Sequence, residues 1–298
     1  MPATLAALVE EGFAAPPIAD AAALLEDLRG LLDEAADRAT ATIAEVDRPL
    51  RLPKDRIARV LACEHQSLLA REHDLNEPVV RGRVLDRLLH HHVHGGGGPA
   101  PAGPALAIAE GAFEAERDDA VLDWLLEDPP TRERIAADAT AFVERLGQLG
   151  RPDPSWWPRC EDRLRVDLGR EHAVVCTAQL DLVVGGAPTE LPMVIVEAKS
   201  GRFGQDHRDG LFWYALLAAL RHERPPAAVI GWSAYDGVGW CQPVGESVLR
   251  AAASRAADAL DRIGELVRGR PATRTACRAC AWCVESTTCP SAAVIDPQ

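Results

Sequence analysis

The sequence has no surplus of basic residues. Lys and Arg number 32 against 45 Asp and Glu, a net charge of −13. Proteins that coat nucleic acid non-specifically work through phosphate contacts and carry a basic balance, so that class is excluded. An enzyme acting on nucleic acid is not, because catalytic carboxylates and acidic outer helices both add negative charge. A groove stays locally basic if Arg163, Arg165, Lys199, Arg202 and Arg208 line it. Long apolar runs are also missing, and nothing approaches the roughly 20 residues that cross a bilayer. The first residues, MPATLAALVEEGFAAPP, lack the basic stretch of a secretory signal and meet acidic residues early. A cytoplasmic protein with no membrane partner is the expectation. Aromatics make up only 5% of the chain, beside abundant Ala, Arg, Gly and Pro. That reads as a GC-rich coding bias and excludes no function. There is no internal repeat, which excludes a repeat array.

What is present is ordinary for a soluble globular chain: 47% apolar and 26% charged residues over 298 positions, enough for a sizeable core. Eight cysteines stand out. A reducing compartment keeps thiols from pairing as disulfides, so their spacing needs another explanation.

Helical periodicity dominates the first 130 residues. Leu24, Leu25, Leu28, Leu31 and Leu32 mark a helix over 17–46. Pro49 and Pro53 break the pattern, and 54–73 is helical again and carries Cys63. A third helix runs from Val79 to His92, followed by a glycine- and proline-rich flexible loop at 95–104. Segments 105–127 and 131–149 are helical. The texture then changes. RLRVDL at 163–168 alternates as a half-buried strand does. HAVVCTAQLDLVV at 172–184 and MVIVEAK at 193–199 are further strands, joined by a turn at Gly185, Gly186 and Pro188. A helix at 205–222, a strand at 227–235 and a closing helix at 245–268 complete the series. The expected organisation is an N-terminal helical region (1–130) packed on an α/β core (131–245), then a helix and cysteine-rich tail (246–298).

Three charged residues fall at the ends of two successive strands. Residues two apart in a strand share a face, so Glu197 and Lys199 project together. If the preceding strand pairs as a hairpin, Asp181 joins them. Two carboxylates and an ammonium then converge, a donor set suited to Mg²⁺ or Mn²⁺. Such an ion lowers the pKa of a bound water and neutralises charge at phosphorus, while Lys199 stabilises developing negative charge. The carbonyl of Ala198 is a further ligand candidate. The alternative is a set of solvated residues or ordinary ion pairs. Against it, VIVEAK is an apolar run that stops abruptly in two charges.

Asp181-Leu-Val-Val followed by Val194-Ile-Val-Glu-Ala-Lys-Ser-Gly201 resembles the catalytic hairpin of the PD-(D/E)XK nuclease superfamily, in its RecB-like branch. The resemblance implies a restriction-endonuclease-like fold: helix, three strands, helix, strand. It implies metal ligation by Asp181 and Glu197 and catalysis by Lys199. The family's next helix carries a Gln-x-x-x-Tyr element. Tyr214 matches its tyrosine, but Gly210 stands where glutamine is expected. The aromatic run at 212–214 is otherwise a core face. Upstream, RGRVLDRLLHHHVH at 81–94 resembles a Gly-x-x-x-His metal-ligand segment, with Asp86 in the histidine's place and His90 one turn on. Glu161 resembles an acidic position of this branch. DNA is the implied partner, in repair, recombination or CRISPR adaptation, with Arg202 and Arg208 as candidate DNA-binding residues.

Cys277, Cys280, Cys283 and Cys289 lie within thirteen residues. Soft thiolates suit zinc or iron–sulfur centres. A zinc ribbon wants two separated knuckles, which this string lacks. The RecB-like branch includes iron–sulfur nucleases, with one upstream cysteine and a C-x₂-C-x₅-C trio after the core. By that resemblance Cys63, Cys280, Cys283 and Cys289 hold a [4Fe–4S] cluster, with Cys277 an alternative ligand. Cys160, Cys176 and Cys241 read as buried small residues. The expected activity is metal-dependent DNA hydrolysis, on single strands or from an end. The rivals are a catalytically inactive nucleic-acid-binding or assembly module on the same fold, and a zinc-binding structural protein.

Overall fold

The computed structural model describes residues 4–41, 49–69, 75–95 and 104–292. It is a mixed α/β architecture, a central sheet with helices on both faces. Helix α1 (Leu5–Phe13) is capped by Thr4, whose hydroxyl accepts from the Ala7 N–H. Helix α2 (Ala21–Thr40) starts where Asp20 accepts from the Ala23 N–H, later than the sequence pattern suggests. Strand β1 (Leu50–Arg51) follows. The helix expected over 54–73 is, among the described residues, two, α3 (Lys54–Ala62) and α4 (Glu64–Leu68), and 70–73 lie outside those residues. Cys63 interrupts them with extended backbone, φ −158° and ψ 109°. Helix α5 (Glu77–His94) carries the histidine run. Most of the expected loop at 95–104 lies outside the described residues.

The segment 105–127 also divides, into α6 (Ala105–Glu116) and α7 (Asp119–Glu127), because Arg117 turns left-handed at φ 58°. Helix α8 (Pro129–Leu149) opens on two prolines, which suit a first turn that has no N–H bonds to give. Its buried stripe, Thr131, Ile135, Ala139, Phe142, Leu146 and Leu149, follows the helical repeat. Then come β2 (Arg159–Leu168), β3 (Val174–Val184), β4 (Val194–Lys199), α9 (Gln205–His222), β5 (Ala228–Ser233), β6 (Gly239–Pro243) and α10 (Glu246–Val267).

The described strands form one mixed sheet, ordered β1-β3-β4-β5-β6, with β2 along the other edge of β3. Strand β2 pairs antiparallel with β3 over nearly its whole length, from Arg159 opposite Val183 to Leu168 opposite Val174. The opposite edge of β3 is shared. Strand β1 runs parallel to it at Val174 and Val175, and β4 antiparallel at Leu182 to Val184. Residues 176–180 therefore pair with β2 alone. Strand β4 leaves β3 at the level of Asp181 and Glu197 and continues parallel to β5 as far as Lys199 opposite Ser233. The result is a fork, open between β3 and β4. Gly185 makes the hairpin turn possible: its φ is +70°, and a Cβ there would collide with the Pro192 carbonyl.

Two apolar layers flank the sheet. One contains Val183, Ile195 and Val229 with α2, α3, α9 and α10; the other contains Leu182, Val184, Val194 and Val196 with α1, α5, α6, α7 and α8. The N-terminal region is thus no separate body, since α1 and α2 cover opposite faces and β1 joins the sheet. Helix α9 is buried along Leu211–Leu220 except for Phe212, which is half-buried, because α2, α3 and α10 cover it from outside. Gly264 of α10 sits against α2 so closely that a Cβ would lie 2.7 Å from the Ala39 Cα, a backbone atom that cannot yield locally. We therefore expect Gly264→Val to destabilise the fold by about 1–3 kcal/mol or more, the usual cost of overpacking. Denaturant unfolding should show it as a lower midpoint at unchanged slope.

Candidate active site

The fork concentrates charge. Asp181 Oδ2 accepts the Ala198 N–H at 2.8 Å, so β3 and β4 are tied across the opening by a side chain instead of a ladder bond. Glu197 is only 2% exposed. Its Oε1 meets two ammonium groups, Lys199 on the same strand and Lys54 Nζ at 3.0 Å from the start of α3. Its Oε2 is buried and has no hydrogen-bond partner among the described residues. Glu197, Lys199 and Tyr214 lie on the α9 face of the sheet. The Lys54 ammonium stands 4.4 Å over the Tyr214 ring.

The electrostatics follow from enclosure. Burial, then the Glu197 charge, pushes the Asp181 carboxyl well above the usual carboxylate range. Burial does the same to Asp86, on α5, and Lys199 only partly offsets it; its carboxyl is pushed up to about 6. Burial also opposes a charged Glu197, but Lys199 and Lys54 outweigh it and hold that carboxyl below its ordinary range. Both lysines are raised, because Glu197 overcomes their own desolvation. Burial raises the Tyr214 hydroxyl, so it stays protonated. Asp86, Asp181, Glu197 and Lys199, drawn from three elements, thus act on one another as a single charge group.

Not every candidate joins it. His90 is exposed, and its ring lies 4.8 Å from that of His94. One turn beyond Asp86 carries it about 6 Å further along the helix, to the exposed end of α5. Glu161 adopts φ 55°, in the left-handed region that a side chain resists, and pairs with Arg87, which also holds Glu116. It stands opposite Asp181, at a step the β2–β3 ladder skips between the pairs Asp162–Leu180 and Cys160–Leu182. Leu180 and Leu182 also fall in opposite apolar layers. Both strands therefore change face at this level, which helps turn Asp181 towards β4. Arg202 and Arg208 are exposed and stack on rings, Arg202 5.3 Å over Tyr235 and Arg208 4.8 Å over Trp240.

Two members had no sequence signal. Lys54 is a single lysine after Pro53, 143 residues from its partner. His207 accepts the Gly204 N–H through Nδ1, and burial followed by the Lys199 charge lowers its pKa.

The cysteines gather elsewhere. Cys63, Cys277, Cys280, Cys283 and Cys289 line one cavity, with His65 beside them. Cys63 arrives there because the break between α3 and α4 turns it out of the helix. The tail docks by charge as well. Buried Glu64 accepts from Arg270 at 2.7 and 2.9 Å and from the Thr273 N–H at 2.9 Å. His65 pairs with Glu285 at 2.8 Å. Among the described residues no three His, Cys, Asp or Glu side chains form a converged metal-holding group. Of the other thiols, Cys176 is buried and Cys160 and Cys241 half-buried, all raised by burial, to about 12, 12 and 11.

The clamp at Glu64 has a pH signature. The Arg270 hydrogen bonds hold its carboxyl down to about 2. A depressed acid contributes stability above its unfolded pKa and loses it as pH falls towards the folded one. Docking of the tail should weaken between about pH 4.5 and 2 for this reason. At pH 7, Glu64→Gln should cost about 1–3 kcal/mol, the range for hydrogen bonds to charged groups. Limited proteolysis of the tail, followed across pH, reads both effects.

No known family's sequence profile matches the chain, and no curated protein matches it in sequence. Among solved structures, the crystal structure of SSO0001 is similar at 11% identity, with 88% of this chain and 94% of that chain covered and a TM-score of 0.36. Among the described residues, no helix is long and apolar enough to cross a membrane.

Proposed function

We propose that the chain is a metal-dependent DNA nuclease of the PD-(D/E)XK type, in its RecB-like branch. The observation that carries this reading is the fork, where Asp181, Glu197, Lys199 and Asp86 meet in one enclosed charge group. The chain order α8, β2, β3, β4, α9, β5 supports the helix, three strands, helix, strand core of that fold.

In donor type the residues suit a hard divalent cation, which would have to draw them together, since among the described residues no three such side chains stand converged. Glu197 Oε2 is a buried oxygen with no partner, a costly state for a carboxylate unless something accepts its lone pairs. Asp86 and Asp181 are held close to Glu197 against their own repulsion. Asp86, Asp181, Glu197 and the Ala198 carbonyl would hold Mg²⁺ or Mn²⁺, with Asp86 in place of a histidine. Such an ion supplies charge neutralisation at the phosphate and a water of lowered pKa. Lys199, pinned by Glu197, presents an ammonium where negative charge develops on the scissile phosphate. Lys54 fixes the Glu197 carboxylate from the other side. Arg202 and Arg208, each stacked on a ring, would meet the DNA backbone beyond the site.

The cysteine cavity suits a [4Fe–4S] cluster on Cys63, Cys280, Cys283 and Cys289, with Cys277 in reach. Its part would be to staple the α3–α4 break to the tail. The nuclease reading is tested by purifying the full chain anaerobically and incubating it with Mn²⁺ and end-labelled single- and double-stranded DNA. Cleavage that chelator abolishes is expected. Failure to cut either substrate overturns the assignment and leaves a binding module.

A further inference from the structure

A second feature adjoins the fork. A cleft of about 470 Å³ opens beside it, lined by Lys54, Arg163, Arg165, Thr177, Gln179 and Tyr214. Its volume is within the roughly 300–1,000 Å³ of pockets that take small ligands. Its floor follows the stretch of β3 that pairs with β2 alone. Its lining offers three cations, one of them (Arg165) paired with Asp167, against one carboxylate, Asp55, with an aromatic ring and amide and hydroxyl groups, a set that can meet a phosphate, a base and a sugar. Lys54 joins cleft to site. Two ammonium groups share one Glu197 oxygen, so that trio keeps an uncompensated positive charge, and the Lys54 side chain is still 31% exposed. The lysine passes over Gly210, where a Cβ would stand 3.4 Å from Lys54 Cδ, in ordinary contact.

We infer that this cleft is a subsite for one nucleotide of single-stranded DNA and that Lys54 holds that nucleotide's phosphate beside Glu197. The inference rests on the nuclease reading for its substrate class. A cleft of this size admits a nucleotide and not a duplex, so the strand must enter unpaired.

The test measures binding, which separates it from cleavage. Fluorescence anisotropy of a labelled oligothymidylate is followed across salt with the full-length Asp181→Ala chain in chelator. Single strands should bind more tightly than a blunt duplex. Adding Lys54→Gln should weaken binding about tenfold and lower the salt slope by about 0.7, the value for one phosphate contact on a single strand. Lys54→Arg should restore the slope. If Lys54→Gln fails to fold, the exposed pair Arg163→Gln/Arg165→Gln decides, with an expected slope loss of about 1.4 and an unchanged melting temperature. An unchanged slope in these variants, or equal affinity for duplex, overturns the inference. A chain that cuts no DNA yet shows these slopes sinks the nuclease reading alone. A chain that cuts DNA with flat slopes sinks the cleft alone.

Discussion

Asp181→Ala, Glu197→Gln and Lys199→Ala are each expected to lower Mn²⁺-dependent cleavage of single-stranded DNA by at least about 10²–10³-fold, the range for removing one preorganised charge from a transition state. The three should not add, because they act as one unit. Removing Glu197 frees both lysines at once, and removing Lys199 leaves Glu197 to Lys54 alone. The opposite sign is expected in stability. Burial and Glu197 disfavour the charged forms of Asp86 and Asp181, a cost in stability of the kind that function retains. In chelator, Asp181→Asn should therefore melt higher than the wild type while cutting nothing. A raised carboxyl costs stability above its folded pKa, and that cost fades as pH falls through it. With Asp86 at about 6, the metal-free protein should gain stability as pH drops from about 6 towards about 4, and Asp86→Asn should flatten the trend. Calorimetry against pH, with and without Mn²⁺, checks both. A full-rate Asp181→Ala enzyme would end the catalytic reading.

The hairpin was legible because its signal is local. An apolar strand that ends in Glu-x-Lys declares its face by alternation alone, and the turn before it is short. The helix at 205–222 was legible with its observed bounds. Strands β1 and β6 were not: Leu50–Arg51 is too short to alternate, and Gly239–Pro243 contains both a glycine and a proline. The break at Cys63 was missed because 54–73 keeps helical periodicity through it, and the extended backbone there serves the docked tail. Lys54 was out of reach for a different reason. Its role depends on a partner 143 residues away, which does not show in local pattern. The departure at Gly210, read from sequence as a missing side chain, is in three dimensions a position the Lys54 side chain passes over. His90 went the other way, since its place on the face of Asp86 was right but its depth along α5 was not.

Cys63→Ser should have the largest effect on stability. The described part of the tail after α10 includes a short helical turn, Arg278–Trp282, and leaves Trp282 65% and Val284 82% exposed. With so little apolar burial, a segment needs cross-links to stay folded. The polar clamp at Glu64 and His65 brings the tail to the α3–α4 break, and the five cysteines then face one cavity. A covalent centre there would join Cys63 to residues more than 200 positions away, and a cross-link closing a loop of that order is worth about 5 kcal/mol in chain entropy. Anaerobically purified protein should be brown, absorbing near roughly 400 nm, with bound iron and sulfide. Cys63→Ser should bleach it, expose the tail to protease and lower the melting temperature by roughly 10 °C. Cys176→Ser, in the apolar layer and outside the lining of the cysteine cavity, should keep the colour. Colourless protein with bound zinc would replace iron–sulfur by zinc and keep the staple; protein with neither metal would remove it. Cys277→Ser then separates the two ligand sets. If Cys280, Cys283 and Cys289 suffice with Cys63, its loss leaves the colour intact, and Cys277 only lines the cavity, its N–H given to Cys280 Sγ at 3.4 Å.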